Sequence, residues 1–239
     1  MTKHIAAFPD EIFLKGVLGA LIEEYSSSDI STPYARPKSI NSRVFHFSFF
    51  RITVAAAKSI LTRDPISPQI WKDLRAAFYI LDSIVECVNG NLRLIPEFRK
   101  RYRDFSRTAR IGELAQALTF VLAQDVLEYP IVCDFDGFLS TQGIPSMKWD
   151  EKTPDYALLF KGGSKNLSLI ESKGSCPQEE TLSPKRSLNE ALTQCKSADA
   201  HIRASASYGA IRTLNRPGFS RHPRAVGNGV VRTLPAIVR

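Results

Sequence analysis

Three side chains in the second half of the chain have the types and spacing to hold a cation and activate water. Pro154-Asp155 leads into the apolar run 156–160, and Glu171-Ser172-Lys173 ends another over residues 167–170. If the loop between these runs turns about Gly162-Gly163, Phe160 faces Asn166 and paired residue numbers sum to 326. Asp155 then stands opposite Glu171, with Cβ atoms about 5 Å apart. Two carboxylates that close are destabilising unless something positive lies between them. A hard divalent cation with oxygen ligands answers that need, and Mg²⁺ (or Mn²⁺ in its place) suits a phosphate substrate. A spacing of two puts Lys173 on the same strand face as Glu171, one step along. There an ammonium can hold, or help deprotonate, a water made acidic by the metal.

The letters alone say little, because an acid-x-Lys triplet arises about once by chance at this composition. Asp150-Glu151-Lys152 sits in a polar turn and Pro9-Asp10 precedes a helical pattern, so both are decoys. Context singles out residues 155 to 173. Residues 129–139, 155–160 and 167–173 read as three short strands divided by Gly and Pro signals. A helical stripe (Leu114, Leu118, Val121, Leu122) starts at Ile111 before them, and a second (Leu188, Ala191, Leu192, Cys195) follows over residues 187–202.

In this order of helix, three strands and helix, the sequence resembles the PD-(D/E)XK nuclease superfamily. The resemblance covers roughly the last 130 residues and rests on Pro154-Asp155 with Glu171-x-Lys173. It implies an α+β fold: a restriction-endonuclease-like core over residues 109–239, a small mixed sheet flanked by helices. It implies Mg²⁺-dependent hydrolysis of DNA phosphodiester bonds, with Asp155 and Glu171 as metal ligands and Lys173 acting on the attacking water. Glu113, at the start of the preceding helix, matches an acid that many members bring to the metal through water. Gln194, in the following helix, matches a glutamine that some members set against the metal site or DNA. By analogy alone, a stand-alone nuclease of this size looks like a restriction or anti-phage defence enzyme. RNA as substrate stays open, as does a nuclease fold that has lost activity and only binds nucleic acid.

A rival pattern lies in the same region. The apolar run ending Asp134-Phe135-Asp136-Gly137 resembles the first motif of haloacid dehalogenase-like phosphatases, in which the first Asp attacks phosphorus. Phe138 departs from that motif, and too few residues follow for the several βα units that fold requires.

Residues 1–108 read as mainly helical and suit target recognition, dimerisation or docking of a protein partner. Residues 10–25 carry a helical stripe (Ile12, Leu14, Val17, Leu18, Leu21, Ile22). Phe45, Phe47 and Phe49 alternate like a strand before a helical pattern from Val54. Ser67-Pro68 opens a helix that runs through Trp71, Phe78 and Val85 to a stop at Asn89-Gly90. A two-strand cut requires two sites, which favours a homodimer.

The chain carries 32 Lys plus Arg against 24 Asp plus Glu, a net charge of +8. Residues 196–239 hold eight basic residues and one acid, so that segment alone supplies +7. Arg203, Arg212, Arg216, Arg221 and Arg224 are therefore candidates for phosphate contact, Arg being the side chain suited to bidentate anion binding. No apolar run approaches a membrane span, and Asp10 and Glu11 interrupt any secretory signal. The four cysteines are far apart with no Cys-x-x-Cys pair, which excludes a local zinc cage and points to a reducing, cytoplasmic setting. There is no glycine-rich phosphate loop, and the four histidines are too scattered for a His-Asn-His nuclease.

Overall fold

The structure is a computed structural model that describes residues 17–25, 39–61, 70–148, 150–159, 167–174 and 184–207. The first half contains β1 (Val17–Tyr25), β2 (Ser39–Ser48), α1 (Phe49–Ala56), α2 (Ile70–Asp82), β3 (Val85–Val88) and β4 (Asn91–Leu94). There follow the one-turn helix α3 (Phe98–Arg101), the long α4 (Asp104–Asp125), β5 (Ile131–Asp134) and α5 (Phe135–Gln142). The last elements are β6 (Tyr156–Leu159), β7 (Ser168–Ile170) and α6 (Pro184–Ser207). The chain is thus α+β, with a four-stranded sheet in the order β2-β1-β4-β3 and a three-stranded sheet in the order β5-β6-β7.

The N-terminal region is mixed where a mainly helical one is expected. Residues 17–25, the described part of the expected first helix, form a strand paired antiparallel with β2 from Val17 opposite Ser48 to Glu24 opposite Asn41. Leu18 is buried while neighbouring Val17 is exposed, although both belong to the expected helical stripe. Gly19 permits the pairing: a Cβ there would lie 3.2 Å from the Val44 side chain, and its N–H donates to the Gly90 carbonyl at 2.6 Å. Long-range pairing has overridden a local preference.

The helix expected to end at Asn89-Gly90 instead stops at Asp82, and its last stretch is β3. Asn89 and Gly90 both have positive φ (52° and 75°) and form the two-residue turn of a hairpin in which Val88 pairs with Asn91. Asn-Gly suits such a turn because both positions need the left-handed region. The expected first strand of the second sheet is likewise shorter. β5 ends at Asp134, whose carboxylate accepts the Gly137 N–H at 3.0 Å and so caps α5.

The largest core joins both halves of the chain. Phe49 and Ile52 of α1, Phe78 and Leu81 of α2, and Leu114, Leu118 and Val121 of α4 pack with Tyr156, Leu158 and Ile170 from one face of the second sheet. The opposite face of that sheet presents Ala157 to a smaller cluster holding Phe135, Leu139, Met147 and Ala198. Alternate residues of β6 thus serve two layers. α4 runs unbroken across the expected 108/109 division. Arg51 of α1 grips Asp125 at the far end of α4 with Nε and Nη2 contacts of 2.9 and 2.7 Å.

Phe78 is almost wholly buried, its ring edge-on to Phe49. Phe78→Ala is expected to cost about 3–5 kcal/mol in denaturant unfolding, whereas Lys72→Ala on the exposed face of the same helix stays within about 0.5 kcal/mol.

Candidate active site

The hairpin β6–β7 sets the register of the site. Tyr156 pairs with Ile170, Ala157 with Leu169 and Leu158 with Ser168, so paired numbers sum to 326 as the sequence indicates. Asp155 and Glu171 lie one rung beyond, just outside the ladder. The Asp155 N–H donates to Glu171 Oε2 at 2.9 Å, and Lys173 Nζ approaches Glu171 Oε1 at 2.5 Å. Asp155, Glu171 and Lys173 therefore converge at one end of the sheet.

Two further residues complete the cluster, and neither was legible in the sequence. Ser172 donates both its N–H (2.7 Å) and its hydroxyl to Asp155 Oδ2. Strand alternation would point Ser172 away from its neighbours, but β7 has ended at Ile170 and the alternation no longer holds. Gln116 donates its amide to Asp155 Oδ1 at 3.3 Å from the middle of α4. Only the packing of that helix against the sheet end brings it there.

Burial sets the electrostatics. Glu171 is 7% exposed, and desolvation followed by the Asp155 charge pushes its carboxyl up to about 7, against the opposing pull of Lys173. The same charges reach α6. The Cys195 thiol, buried behind the site, is pushed up to about 12 by burial and then by Glu171 and Asp155. Burial and the Asp155 charge likewise raise the Tyr156 phenol above its ordinary range.

On the other side of Asp155 opens a cleft of about 130 Å³, lined among others by Ser59, Gln116, Asp134, Asp136 and Tyr156. It has room for about four waters. Ser59 belongs to a π-helical turn (Ala57–Leu61) that widens the end of α1. Asp136 faces this cleft together with Asp155, while Asp134 spends one carboxylate oxygen on the α5 cap. β5 runs antiparallel to β6, so Asp134-Phe135-Asp136 does not end a parallel strand there.

The remaining sequence candidates differ in their surroundings. Glu113 does not begin its helix: α4 starts at Asp104, which puts Glu113 in the third turn, paired with Arg110 at 2.7 Å. Gln194 is buried on α6, and its Oε1 has no hydrogen-bond partner among the described residues. Arg203, near the end of α6, is exposed and pairs with Asp199 at 2.8 Å. Arg212, Arg216, Arg221 and Arg224 lie outside the described residues.

Among the described residues, no group of three or more His, Cys, Asp or Glu is arranged to hold a metal ion. Two carboxylates are enough for a cation that keeps several waters and takes further oxygens from a phosphate, which is the habit of Mg²⁺. A carboxyl raised by burial and then by a second carboxylate beside it is the donor set such an ion relieves, so these residues fit it. The geometry also depends on Gly174. A Cβ at this position would lie 2.5 Å from the Ile111 carbonyl oxygen and 2.7 Å from its side chain, so only glycine lets the backbone at residue 174 lie on α4.

Two outcomes follow. Because the folded protein holds the Glu171 proton up to a pKa of about 7, against 4.5 ordinarily, it binds more protons than the unfolded chain between those values. That contribution is complete below pH 4.5 and is lost as pH rises through 7. Thermal melts without divalent metal should therefore show stability falling over this window, and Glu171→Gln should flatten the fall. Gly174→Ala should lower stability by about 1–3 kcal/mol in denaturant unfolding, since the added methyl meets backbone rather than a movable side chain. Set against known proteins, the chain matches no family model, no curated protein and no solved structure.

Proposed function

We propose that the chain is a Mg²⁺-dependent nuclease that hydrolyses DNA phosphodiester bonds at the Asp155–Glu171–Lys173 cluster. The observation that carries this reading is the Glu171 carboxyl, raised by its burial and then by the Asp155 charge and touched by the Lys173 ammonium, at the end of a hairpin with the expected register. Perturbed carboxyls of this kind gather at functional sites. Asp155 and Glu171 would hold the ion, which supplies a water of lowered pKa and neutralises charge on the phosphate. Lys173, with 28% of its side chain exposed, can orient that water from the solvent side. Gln116 and Ser172 fix the Asp155 carboxylate, and the cleft beyond it leaves space next to the phosphorus.

On this reading residues 109–239 form a restriction-endonuclease-like core in a cytoplasmic defence enzyme. A homodimer would provide the two sites a double-strand cut requires. The alternative of an inactive fold that only binds nucleic acid draws on a separate observation. Both oxygens of Asp155 and both of Glu171 already accept hydrogen bonds from the protein.

Cleavage separates the two. The purified protein is expected to cut DNA with Mg²⁺ or Mn²⁺ and not with EDTA. Lys173→Ala should slow cutting by about 10²-fold or more, the usual worth of a positioned proton-transfer group, with DNA affinity unchanged within about twofold. A wild-type protein that is inert towards single- and double-stranded DNA, yet binds them, would leave the inactive fold as the function.

A further inference from the structure

The geometry points to the α3–α4 elbow as the surface that receives a single-stranded nucleic-acid chain and leads it to Asp155, with Phe105 as the stacking platform. This surface rests on the reading of the site as one that acts on nucleic acid.

Residues 97–110 contain six Lys or Arg and two acids. The elbow is anchored from within: Phe98 is 2% exposed, and the half-buried Tyr102 donates its hydroxyl to the Ser83 carbonyl at 3.2 Å. With those two rings turned inward, Lys100, Arg101 and Arg103 are left on the outside. Among them Phe105, in the first turn of α4, is 87% exposed, the highest value of any large apolar residue described. A lone exposed ring is ordinary on a protein surface, but a ring set among cations has the makings of a nucleic-acid contact.

The helix then connects this ring to the site. Steps of four, seven and eleven from Phe105 reach Ala109, Gly112 and Gln116, all on one face of α4. Gln116 is the residue whose amide holds Asp155. Among the described residues, the face carries only the two smallest side chains between ring and carboxylate: Ala109 is exposed, and nothing described lies within 4 Å of a Cβ added at Gly112. An open track of about 16 Å therefore runs from Phe105 to the site, at 1.5 Å per residue. Its lower end meets the other half of the cluster, since Gly174, next to Lys173, lies against α4 at Ile111.

Charge divides the labour along this track. The acidic end, with Asp134, Asp136 and Asp155, repels a phosphate backbone in the absence of a cation, so the backbone must be gripped at the basic end. Arg and Lys there neutralise phosphates, which is insensitive to base sequence. The exposed ring needs a base whose face is free. A duplex hides its base faces inside the stack, whereas a single strand offers them, which selects the single strand as occupant.

The test is binding in EDTA, where no cutting occurs, of labelled oligothymidine and of the same strand annealed to its complement. Wild type should bind the single strand more tightly. Phe105→Ala should weaken single-strand binding roughly 5- to 150-fold while changing duplex binding little, and Phe105→Trp should retain it. The double variant Arg101→Glu/Arg103→Glu should weaken both and lower the salt slope for the single strand by about 1.4, at about 0.7 per phosphate contact. Single-strand affinity of Phe105→Ala within twofold of wild type overturns the proposal, as does a wild-type preference for duplex or no binding to either. A dimer that Phe105→Ala splits, with single-strand affinity intact in light-scattering and anisotropy measurements, overturns it in favour of a second copy on this face. Mg²⁺-dependent cleavage by wild type with an indifferent Phe105→Ala defeats the elbow alone. Phe105-dependent single-strand binding without cleavage defeats the nuclease reading alone.

Discussion

A buried carboxyl beside a second carboxylate is the constraint around which this molecule is arranged. Neither Glu171 nor Asp155 is stabilised by its own strand. Their oxygens are satisfied by a backbone N–H, a serine, a glutamine and a lysine drawn from the residue before β6, the segment after β7, and α4. Low local dielectric makes each of those hydrogen bonds worth more and its loss more costly. The cluster is therefore stable only if the sheet end and the long helix stay in fixed relation.

α4 provides that relation. Its buried face (Leu114, Leu118, Val121) forms the floor of the main core, and Arg51 ties its far end to α1. The near half carries Ile111 against Gly174 and Gln116 against Asp155. One continuous helix thus couples the packing of the first sheet's helices to the placement of two carboxylates. A change that shifts α4 by a fraction of an ångström is felt at the site, because protein interiors are close-packed and transmit strain. The π turn at the end of α1 adds a local widening, and it is there that Ser59 enters the cleft wall.

The N-terminal sheet shows how local pattern yields to pairing. Residues 17–25 carry apolar side chains at helical spacing, yet the long β2 partner and the close approach at Gly19 draw them into a strand. Asn89-Gly90 can be read either as a helix stop or as a hairpin turn. The β-formers on both sides decide for the turn, where two positive φ values are needed.

The sequence alone indicated the register of β6 against β7, because a period of two and a Gly-Gly pair between two apolar runs are both local features of the sequence. It also brought Asp155 and Glu171 opposite one another and indicated α6 close to its observed span, since apolar periodicity is written residue by residue. Lys173 reaches Glu171 from beyond the end of β7, and α1 and α2 are displaced or shortened against the runs expected for them. Tertiary structure alone decided that Glu171 is buried enough to keep its proton near neutrality, and that Gln116 and Ser172 grip Asp155. It also decided that Glu113 pairs with Arg110 in mid-helix instead of opening a helix at the metal. Those outcomes depend on how one helix crosses the end of a sheet, and no spacing along the chain encodes the distance between elements that meet only when packed.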